Sequence, residues 1–372
     1  MKKITLSICL SVATLIGYGQ NYKYFAGNIH AHTRYSDGNQ DWKTTKVETP
    51  TGSYEFAKKS EHFDFLGISE HNHSEARMKR ENYAKGLSEA ENSTTASFLC
   101  MYGMEFGVIA KGGHVLIYGS DQLIGWEEGN YDLKCGQYDY DRLWEILKEK
   151  SGDSDLFATL AHPKRTDYRN FISKPYNKTA DDVICGVAVM TGPAKTKEKN
   201  YKTKASSMFV GYYKSLLAKG YHVGPTVDHD NHNLTFGRMT KSRTIVMAKK
   251  LDLENIMEAY QKMRFYASQD WDVKVDFTIN GMMMGEMFNT NSDANIVIKV
   301  SDDTNDKVSS IKVMYGQPAS GVAPKALKTV NTDAVSFTQP QAKGEEFYYY
   351  LEIEQKDGDL IYTSPIWVRK LK

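Results

Sequence analysis

The fold is decided by one stretch of sequence, Gly27-Asn28-Ile29-His30-Ala31-His32-Thr33-Arg34-Tyr35-Ser36-Asp37-Gly38. Its two histidines lie two positions apart on a segment that we expect to be extended, so both imidazoles point to the same side. Asp37 follows a polar, turn-prone passage and can return to supply a carboxylate. Because a lone His-x-His pair is more often incidental than a ligand pair, a metal site is predicted only if further histidines and acids join it.

The composition is that of an ordinary folded protein. The 372 residues are 41% hydrophobic and 25% charged, which is enough for one large domain and one small one. The net charge of +1 gives no electrostatic reason to expect binding to nucleic acid or to a membrane surface. Beyond residue 20 only Cys100, Cys135 and Cys185 remain, and this odd, widely spaced set predicts neither a disulfide framework nor a cysteine-type zinc site.

The N-terminus has the pattern of a secretory signal peptide. A basic start, Met1-Lys2-Lys3, precedes a mostly apolar run over residues 4–16 and a small, polar stretch that ends at Gln20. The apolar run is shorter than the ~20 residues that a membrane span needs, so we expect cleavage rather than an anchor. We therefore predict that residues 1–20 are a signal peptide, that the mature protein is periplasmic or secreted, and that it has no transmembrane segment.

Polar clusters recur where predicted strands begin or end. We predict strands at 22–29, 63–69, 98–104, 114–118, 156–161 and 183–190, with helices at 53–59, 74–90, 139–148 and 206–219. Ser74 and Gly220 are the expected N-cap and C-cap of two of these helices. The repeated order of strand, polar cluster and helix is typical of a βα barrel or an open α/β sheet, in which functional residues gather at the strand ends.

The pattern changes near residue 270. Hydrophobic residues alternate with period two over 273–279, 296–300, 311–315 and 347–353, and Asn280-Gly281 and Asp357-Gly358 are turn signals. We predict a small antiparallel β-sandwich over residues 270–372. This part of the sequence has no histidine, so no catalytic role is assigned to it.

The candidate metal ligands combine imidazoles with carboxylates. Such a set suits zinc, manganese or iron(II) better than calcium, which prefers oxygen ligands throughout. There are too many for one ion, so two or three ions with a bridging carboxylate are expected, and sites of this kind hydrolyse esters. The set is His30, His32, Asp37, His71, Glu105, His114, His162, Asp230 and His232.

These motifs resemble those of the PHP (polymerase and histidinol phosphatase) superfamily of metal-dependent hydrolases. The resemblance covers about residues 25–240 and implies a distorted (β/α)7 TIM-like barrel over residues 21–269, followed here by an Ig-like β-sandwich over 270–372. With its signal peptide, the chain is similar to secreted members of the Bacteroidetes type. The matching motifs, in the family's order, are His30-Ala31-His32 with Ser36-Asp37-Gly38, Ser69-Glu70-His71-Asn72, Gly103-Met104-Glu105, Leu160-Ala161-His162-Pro163 and Asp230-Asn231-His232.

The resemblance also implies how the ligands are shared. One ion would be held by His30, His32, Glu105 and Asp230, a second by Asp37, His71 and His232, and a third by Glu105, His114 and His162. Glu105, Asp37 and His114 are the expected catalytic residues. Three features leave alternatives open: Glu70 stands where the family usually has Asp, Asp228 and His229 offer another register for the last motif, and His73 has no assigned role.

The implied activity is that of a phosphoesterase in which hydroxide held between metal ions attacks phosphorus. Arg34, Lys164 and Arg165 directly follow ligand motifs and are expected either to bind phosphate oxygens or to be solvent-exposed charges. Two alternatives remain. The same site could hydrolyse carboxylic esters, carbamates or amides, or a catalytically silent barrel could accompany a sandwich that binds glycan or protein through some of the 24 tyrosines and 5 tryptophans.

Overall fold

The computed structural model describes residues 22–108, 112–152, 155–206 and 208–372. The predicted signal peptide therefore lies outside the described residues. Within the described ranges, every helix is too short or too polar to cross a lipid bilayer.

Most of the regular structure is β-strand. The strands are β1 Lys23–Asn28, β2 Phe65–His71, β3 Leu99–Phe106, β4 His114–Tyr118, β5 Ile124–Gly125, β6 Leu133–Lys134, β7 Phe157–Ala161, β8 Ile184–Thr191, β9 Gly224–Asp228, β10 Arg243–Ala248, β11 Phe265–Ser268, β12 Val273–Ile279, β13 Met282–Met283, β14 Met287–Thr290, β15 Ala294–Asp302, β16 Val308–Gly316, β17 Lys325–Val330, β18 Ala334–Gln339, β19 Glu346–Gln355, β20 Leu360–Thr363 and β21 Ile366–Lys370.

The helices are short and connect the strands of the first 260 residues. Their bounds are α1 Trp42–Thr45, α2 Pro50–Ala57, α3 Arg80–Ser93, α4 Tyr140–Ser151, α5 Asp167–Asn170, α6 Lys178–Asp181, α7 Val210–Lys219 and α8 Leu253–Gln261, with 3₁₀ turns at Ser74–Ala76 and Phe171–Ser173.

One large mixed sheet organises the fold. Its central run has the order β10-β1-β2-β3-β4-β7-β8-β9. Strands β1, β2 and β3 are parallel to one another, as are β7, β8 and β9, whereas β4 is antiparallel to both of its neighbours. The two ends of the run meet, because β9 packs beside β10 and β11, and the Val227 backbone N–H donates a hydrogen bond to Thr244 Oγ1 at 2.9 Å.

The predicted mixed α/β fold is therefore confirmed, with a large sheet and few helices. The pairing is not that of a regular (β/α)7 barrel, since β4 and β10 run against their neighbours. Strands β3, β4 and β7 are buried along their whole length, which accounts for their nearly continuous apolar sequences.

Two of the predicted helices start later than expected. The predicted start of one helix at Ser74 is wrong. His73 Nδ1 accepts a hydrogen bond from the Ala76 N–H there and closes a 3₁₀ turn instead. The backbone of Arg77 then has φ 75°, which prevents this turn from continuing into α3. Similarly, Ser206 pairs with Thr191 as a β-bridge, so α7 begins only after it.

The C-terminal strands surround a second hydrophobic core. Strands β13, β12, β15 and β18 form a separate four-stranded sheet, which shares this core with β16, β19, β20 and β21. The latter four belong to the large sheet, because β20 pairs antiparallel with β11. The sequence predicted the alternating strands but not this pairing, by which the sheet runs without a break from the first part of the chain into the second.

Candidate metal centre

The candidate ligands meet at one edge of the central sheet. Parallel strands deliver most of them near their carboxyl ends, and β4 begins with His114. Because β4 is antiparallel to β3 and β7, its first residue lies at the edge where its neighbours end, and His114 pairs with Ala161 next to His162. The structure brings together all nine residues of the predicted set: His30, His32, Asp37, His71, Glu105, His114, His162, Asp230 and His232.

Glu105 is the centre of this group. Its carboxylate is fully buried, and each of its two oxygens faces more than one imidazole. Oε1 lies 3.0 Å from His30 Nε2, 2.7 Å from His114 Nδ1 and 3.1 Å from His162 Nε2, and Oε2 lies 3.3 Å from His32 Nε2 and 3.0 Å from His71 Nδ1.

Asp230 and Asp37 supply the other two carboxylates. Asp230 Oδ1 is 3.2 Å from His30 Nε2, 3.1 Å from His32 Nε2 and 3.5 Å from His232 Nδ1. Asp37 lies at the open side of the group, where its oxygens are 3.7 Å from His71 Nε2 and 3.5 Å from His232 Nε2. The imidazoles of His71 and His232 therefore each lie between two carboxylates.

The carboxylates favour positive charge between them, although burial and neighbouring imidazoles lower the pKa of His32 and of His114 to about 4. Burial raises the pKa of Glu105, but the imidazoles of His114, His30 and His71 outweigh this effect and hold that pKa well below its usual value. Burial likewise opposes a proton on His232, yet Asp37 and Asp230 raise its pKa to about 9. These carboxylates thus stabilise cations at this edge, whether protonated imidazoles or metal ions.

The arrangement fits divalent metal ions better than hydrogen bonds alone. Several buried atoms have no hydrogen-bond partner although they face each other, among them His30 Nε2, His71 Nδ1 and Glu105 Oε2. Ligands bound to one tetrahedral zinc at ~2.1 Å lie about 3.4 Å apart, which is close to the 3.0–3.3 Å found between His30, His32, Glu105 and Asp230. The donor atoms of these four residues all lie within 4.8 Å of one another.

Two further groups share members with the first. The donor atoms of His32, His71 and His232 lie within 4.8 Å of one another, and so do those of His71, Glu105 and His114. His162 belongs beside the latter group, since its Nε2 is 3.4 Å from His114 Nδ1. The geometry therefore links His71 to the neighbourhood of Glu105 as well as to Asp37, whereas the sequence resemblance placed it with Asp37 and His232 alone.

Asp228 lies behind the ligands and contacts His30. Its Oδ2 is 3.0 Å from His30 Nδ1, while its Oδ1 accepts a hydrogen bond from the Thr226 hydroxyl at 3.1 Å. His229 points away, with its Nε2 2.8 Å from the Ser242 carbonyl oxygen. Of the two sequence registers, the structure brings Asp230 and His232 into the group of ligands and leaves Asp228 as a residue that orients His30.

Replacing Asp228 with asparagine is expected to weaken metal binding about 10- to 100-fold without unfolding the chain. The carboxylate fixes which nitrogen of His30 carries the proton and leaves Nε2 for the metal, and loss of such a partner typically costs this much affinity. Competition with a chromogenic chelator measures the affinity. Asp181→Asn is the matched control, because Asp181 Oδ2 lies 2.8 Å from His222 Nδ1 in a similar contact outside the site. Equal losses of metal affinity in both variants would contradict the role given to Asp228.

Glu70 supports the loop that carries Asp37. It is fully buried, and its carboxylate accepts hydrogen bonds from the Thr33 backbone N–H at 3.0 Å and from the hydroxyls of Thr33 and Ser36. Burial raises its pKa to about 7. His73, the other residue without an assignment, caps the 3₁₀ turn with Nδ1 and stacks beside Trp126, its ring centroid 5.5 Å from that of His71.

Two of the candidate ligands have an unfavourable backbone conformation. His162 has φ 29° and Asp230 has φ 53°, in the left-handed region that residues with a side chain seldom adopt. Each follows the end of a buried strand, β7 or β9. Strain of this kind persists where the surrounding structure enforces it, and it is common among residues of functional sites.

The three basic residues predicted to bind substrate take no part in the contacts among the nine candidate ligands. The Arg34 guanidinium stacks over the Trp42 ring at 5.0 Å, and the side chains of Lys164 and Arg165 are exposed. In the described part of the chain, none of the three forms an ion pair with the candidate ligands.

Two supporting residues were missed by sequence reasoning. Asn28 donates a hydrogen bond to the His30 carbonyl oxygen and accepts one from the His229 N–H, both at 2.9 Å, so it ties the first motif to the last. The Tyr168 hydroxyl donates to the carbonyl oxygens of His114 and Ala161 at 2.9 and 3.1 Å. Only the position of Asn28 beside the first motif could have indicated such a role.

Comparison with known proteins gives matches among solved structures alone. No family model matches the chain, and no curated protein matches it. A two-domain protein from Bacteroides vulgatus, described as containing a predicted PHP-like metal-dependent phosphoesterase, aligns over 93% of this chain and 96% of its own at 16% identity and a TM-score of 0.48. The lesion-specific endonuclease PfuEndoQ from Pyrococcus furiosus aligns over 64% of this chain and 56% of its own, at 13% identity and a TM-score of 0.38. At such scores, neither likeness carries an activity over to this chain.

Proposed function

We propose that this chain is a metal-dependent hydrolase of the PHP type that cleaves phosphate esters. The observation that carries the proposal is the position of Glu105, a fully buried carboxylate with five imidazole nitrogens within 3.3 Å of its oxygens. A second shared carboxylate, Asp230, makes room for more than one ion. Two or three ions of zinc, manganese or iron would be held by the nine residues described above.

The proposal extends to the organisation of the chain. The curved part of the large sheet would be the distorted (β/α)7 barrel, spanning residues 21–269, and residues 270–372 would be the β-sandwich. A chain with the N-terminal pattern described above would be exported after cleavage near Gln20.

Divalent ions at such a site supply activated water at neutral pH and stabilise negative charge on the attacked group. The chain's own residues determine where substrate enters. The side chain of Glu105 is 0% exposed, whereas those of Asp230 and Asp37 are 18% and 33% exposed, so the reacting group approaches from the side of Asp37. Burial opposes the charge of Asp37, but His232, His71 and His32 lower its pKa, and it therefore stays ionised as a ligand.

Charge favours a phosphate ester over a neutral ester. Three divalent ions carry more positive charge than the carboxylates of Glu105, Asp37, Asp230 and Asp228 neutralise, whereas two ions balance them, so a centre with three ions attracts an anionic substrate. Lys164 and Arg165, which follow His162 and are exposed, are proposed to contact the non-bridging oxygens together with Arg34. The overall charge of +1 gives no reason to extend this proposal to nucleic acid.

A substrate panel tests the proposed reaction. Manganese- or zinc-loaded protein is expected to release p-nitrophenol from p-nitrophenyl phosphate or from its diester, and to lose this activity after chelation. If p-nitrophenol is released from p-nitrophenyl acetate alone, the proposed activity is instead that of a carboxylic ester hydrolase. If protein that retains its metal turns over none of these substrates, the alternative of a catalytically silent binding module is favoured. Asp37→Asn is expected to lower turnover, and Asp41→Asn is the control, because the Asp41 carboxylate accepts a hydrogen bond from the Leu234 backbone N–H and contacts none of the nine candidate ligands in the described structure.

A further inference from the structure

A second group of acidic residues lies far along the chain from the histidine-containing centre. Asp270, Asp302 and Asp306 each place a carboxylate oxygen within 4.8 Å of the others. They come from the connection between β11 and β12 and from the end of β15 with the loop that follows. The group contains oxygen donors only, which distinguishes it chemically from the imidazole-rich centre.

Asp302 is held in place by contacts on both of its oxygens. Its Oδ1 accepts hydrogen bonds from the Thr304 hydroxyl at 2.9 Å and from the Asp306 backbone N–H at 3.0 Å. Its Oδ2 accepts from Gln355 Nε2 at 3.1 Å, and the same amide donates to Asp270 Oδ2 at 3.2 Å. Gln355, the last residue of β19, therefore holds the carboxylates of Asp270 and Asp302 next to each other.

Asp272 gives independent evidence for a ligand. The residue is only 6% exposed, and its side chain faces the carboxyl of Asp270, whose pKa is raised to about 9 by burial and by the carboxylates of Asp302 and Asp272. Apart from that carboxyl, neither oxygen of Asp272 has a hydrogen-bond donor among the described residues. Gln355 is 1% exposed, and its Oε1 also lacks a partner. A buried, unpartnered carboxylate is costly unless a cation or a proton satisfies it.

The nearby basic side chains make other contacts, and Lys241, whose charge acts on Asp306, lies over the Trp271 ring at 5.1 Å. Lys204 pairs with Asp359 at 2.6 Å, and Lys274 pairs with Asp303 at 2.7 Å. Among the residues that the structure describes, no lysine, arginine or histidine forms an ion pair with Asp270, Asp272 or Asp302. The carboxylates of Asp270, Asp272 and Asp302 thus face one another without an ion pair to any basic side chain that the structure describes.

We propose that Asp270, Asp272, Asp302 and Asp306 form a calcium site at the junction between β11 and the C-terminal strands. A hard cation is indicated because every available donor is an oxygen. Calcium is preferred to magnesium because it accepts six to eight oxygens in a flexible arrangement, whereas magnesium requires a near-ideal octahedron. The site would join the β11–β12 connection to the β15 loop and to β19 through Gln355.

The test measures calcium binding by the full chain with its imidazole-rich centre already loaded with zinc, because manganese would also bind to an all-oxygen group. Calorimetric titration with CaCl₂ is expected to give one additional ion per chain, and the thermal midpoint is expected to rise with calcium concentration. Asp302→Asn and Asp306→Asn should each weaken calcium binding at least about tenfold, since the number of charged ligands sets the affinity. Asp306 is exposed, so its variant is expected to fold even if the other does not.

The matched control is Asp303→Asn, which removes a neighbouring carboxylate that pairs with Lys274 instead of joining the group. This variant should bind calcium as the unaltered chain does. Absence of calcium binding by the unaltered chain, preference for magnesium, or equal binding by Asp306→Asn and Asp303→Asn would each overturn the proposal. Hydrolysis by the imidazole-rich centre is measured separately, so failure of one proposal is distinguishable from failure of the other.

Discussion

Replacing Glu105 with glutamine is expected to remove bound metal and to lower kcat/KM at least about 10²-fold. Loss of a residue that merely supports a ligand typically costs 10- to 100-fold, and Glu105 is placed to serve several ions at once. Glutamine keeps the shape of the side chain but brings an amide N–H₂ towards imidazoles 2.7–3.3 Å away and removes the negative charge. The measurements are the metal content after gel filtration and the hydrolysis of p-nitrophenyl phosphate.

Glu89→Gln is the control for the chemical change itself. Glu89 is a partly buried carboxylate that accepts hydrogen bonds from Tyr35 and Thr51 and makes no contact with the candidate ligands. This variant should keep its metal and its turnover, even if it loses some stability. Full metal content and activity in Glu105→Gln would remove the basis of the proposed function, because the carboxylate would then have no part in holding the ions.

Removal of the metals is the second change with a large expected effect, and it should destabilise the fold. At a metal concentration a thousandfold above the dissociation constant, binding contributes about 4 kcal/mol to the free energy of unfolding. Without the ions, buried atoms such as His30 Nε2 and Glu105 Oε2 have no hydrogen-bond partner. Thermal unfolding is compared before and after dialysis against a chelator, and then after zinc alone is restored.

Restoring one transition metal without calcium separates the two proposed sites. Recovery of the thermal midpoint with zinc is assigned to the imidazole-rich centre, since an all-oxygen group prefers a hard cation such as calcium, magnesium or manganese. Glu105→Gln should show little of this recovery. A thermal midpoint that is unchanged by chelation, in protein whose metal loss has been measured, would mean that the nine residues fold without needing ions.

The sequence predicted the site better than it predicted the sheet. Histidines and acids at strand ends, such as His71 and His162, could be found because strand patterns are local and the ends of neighbouring strands share an edge. The nine candidate residues were accordingly expected together and lie together. Their roles as ligands stay a prediction, because the geometry brings donor atoms into range without identifying an ion.

Features that depend on distant parts of the chain could not be predicted. The direction of β4 follows from its pairing with β3 and β7, and nothing in the residues 114–118 distinguishes an antiparallel strand from a parallel one. The break before α3 depends on one side chain, His73, that accepts a backbone hydrogen bond. The acidic group was missed because its two halves, Asp270 with Asp272 and Asp302 with Asp306, lie at least thirty positions apart and adjoin strands that carry no other sign of a site.

The pairing of β11 with β20 has a consequence for how the chain can be divided. Three consecutive residues of β11, Tyr266, Ala267 and Ser268, have partners on β20. A fragment ending near residue 270 would leave those backbone groups exposed along a bare strand border, which invites other chains to add to it. The C-terminal hundred residues thus cover β11 and protect it from pairing with other chains. A chain without them would need another element to occupy the hydrogen-bonding groups of β11.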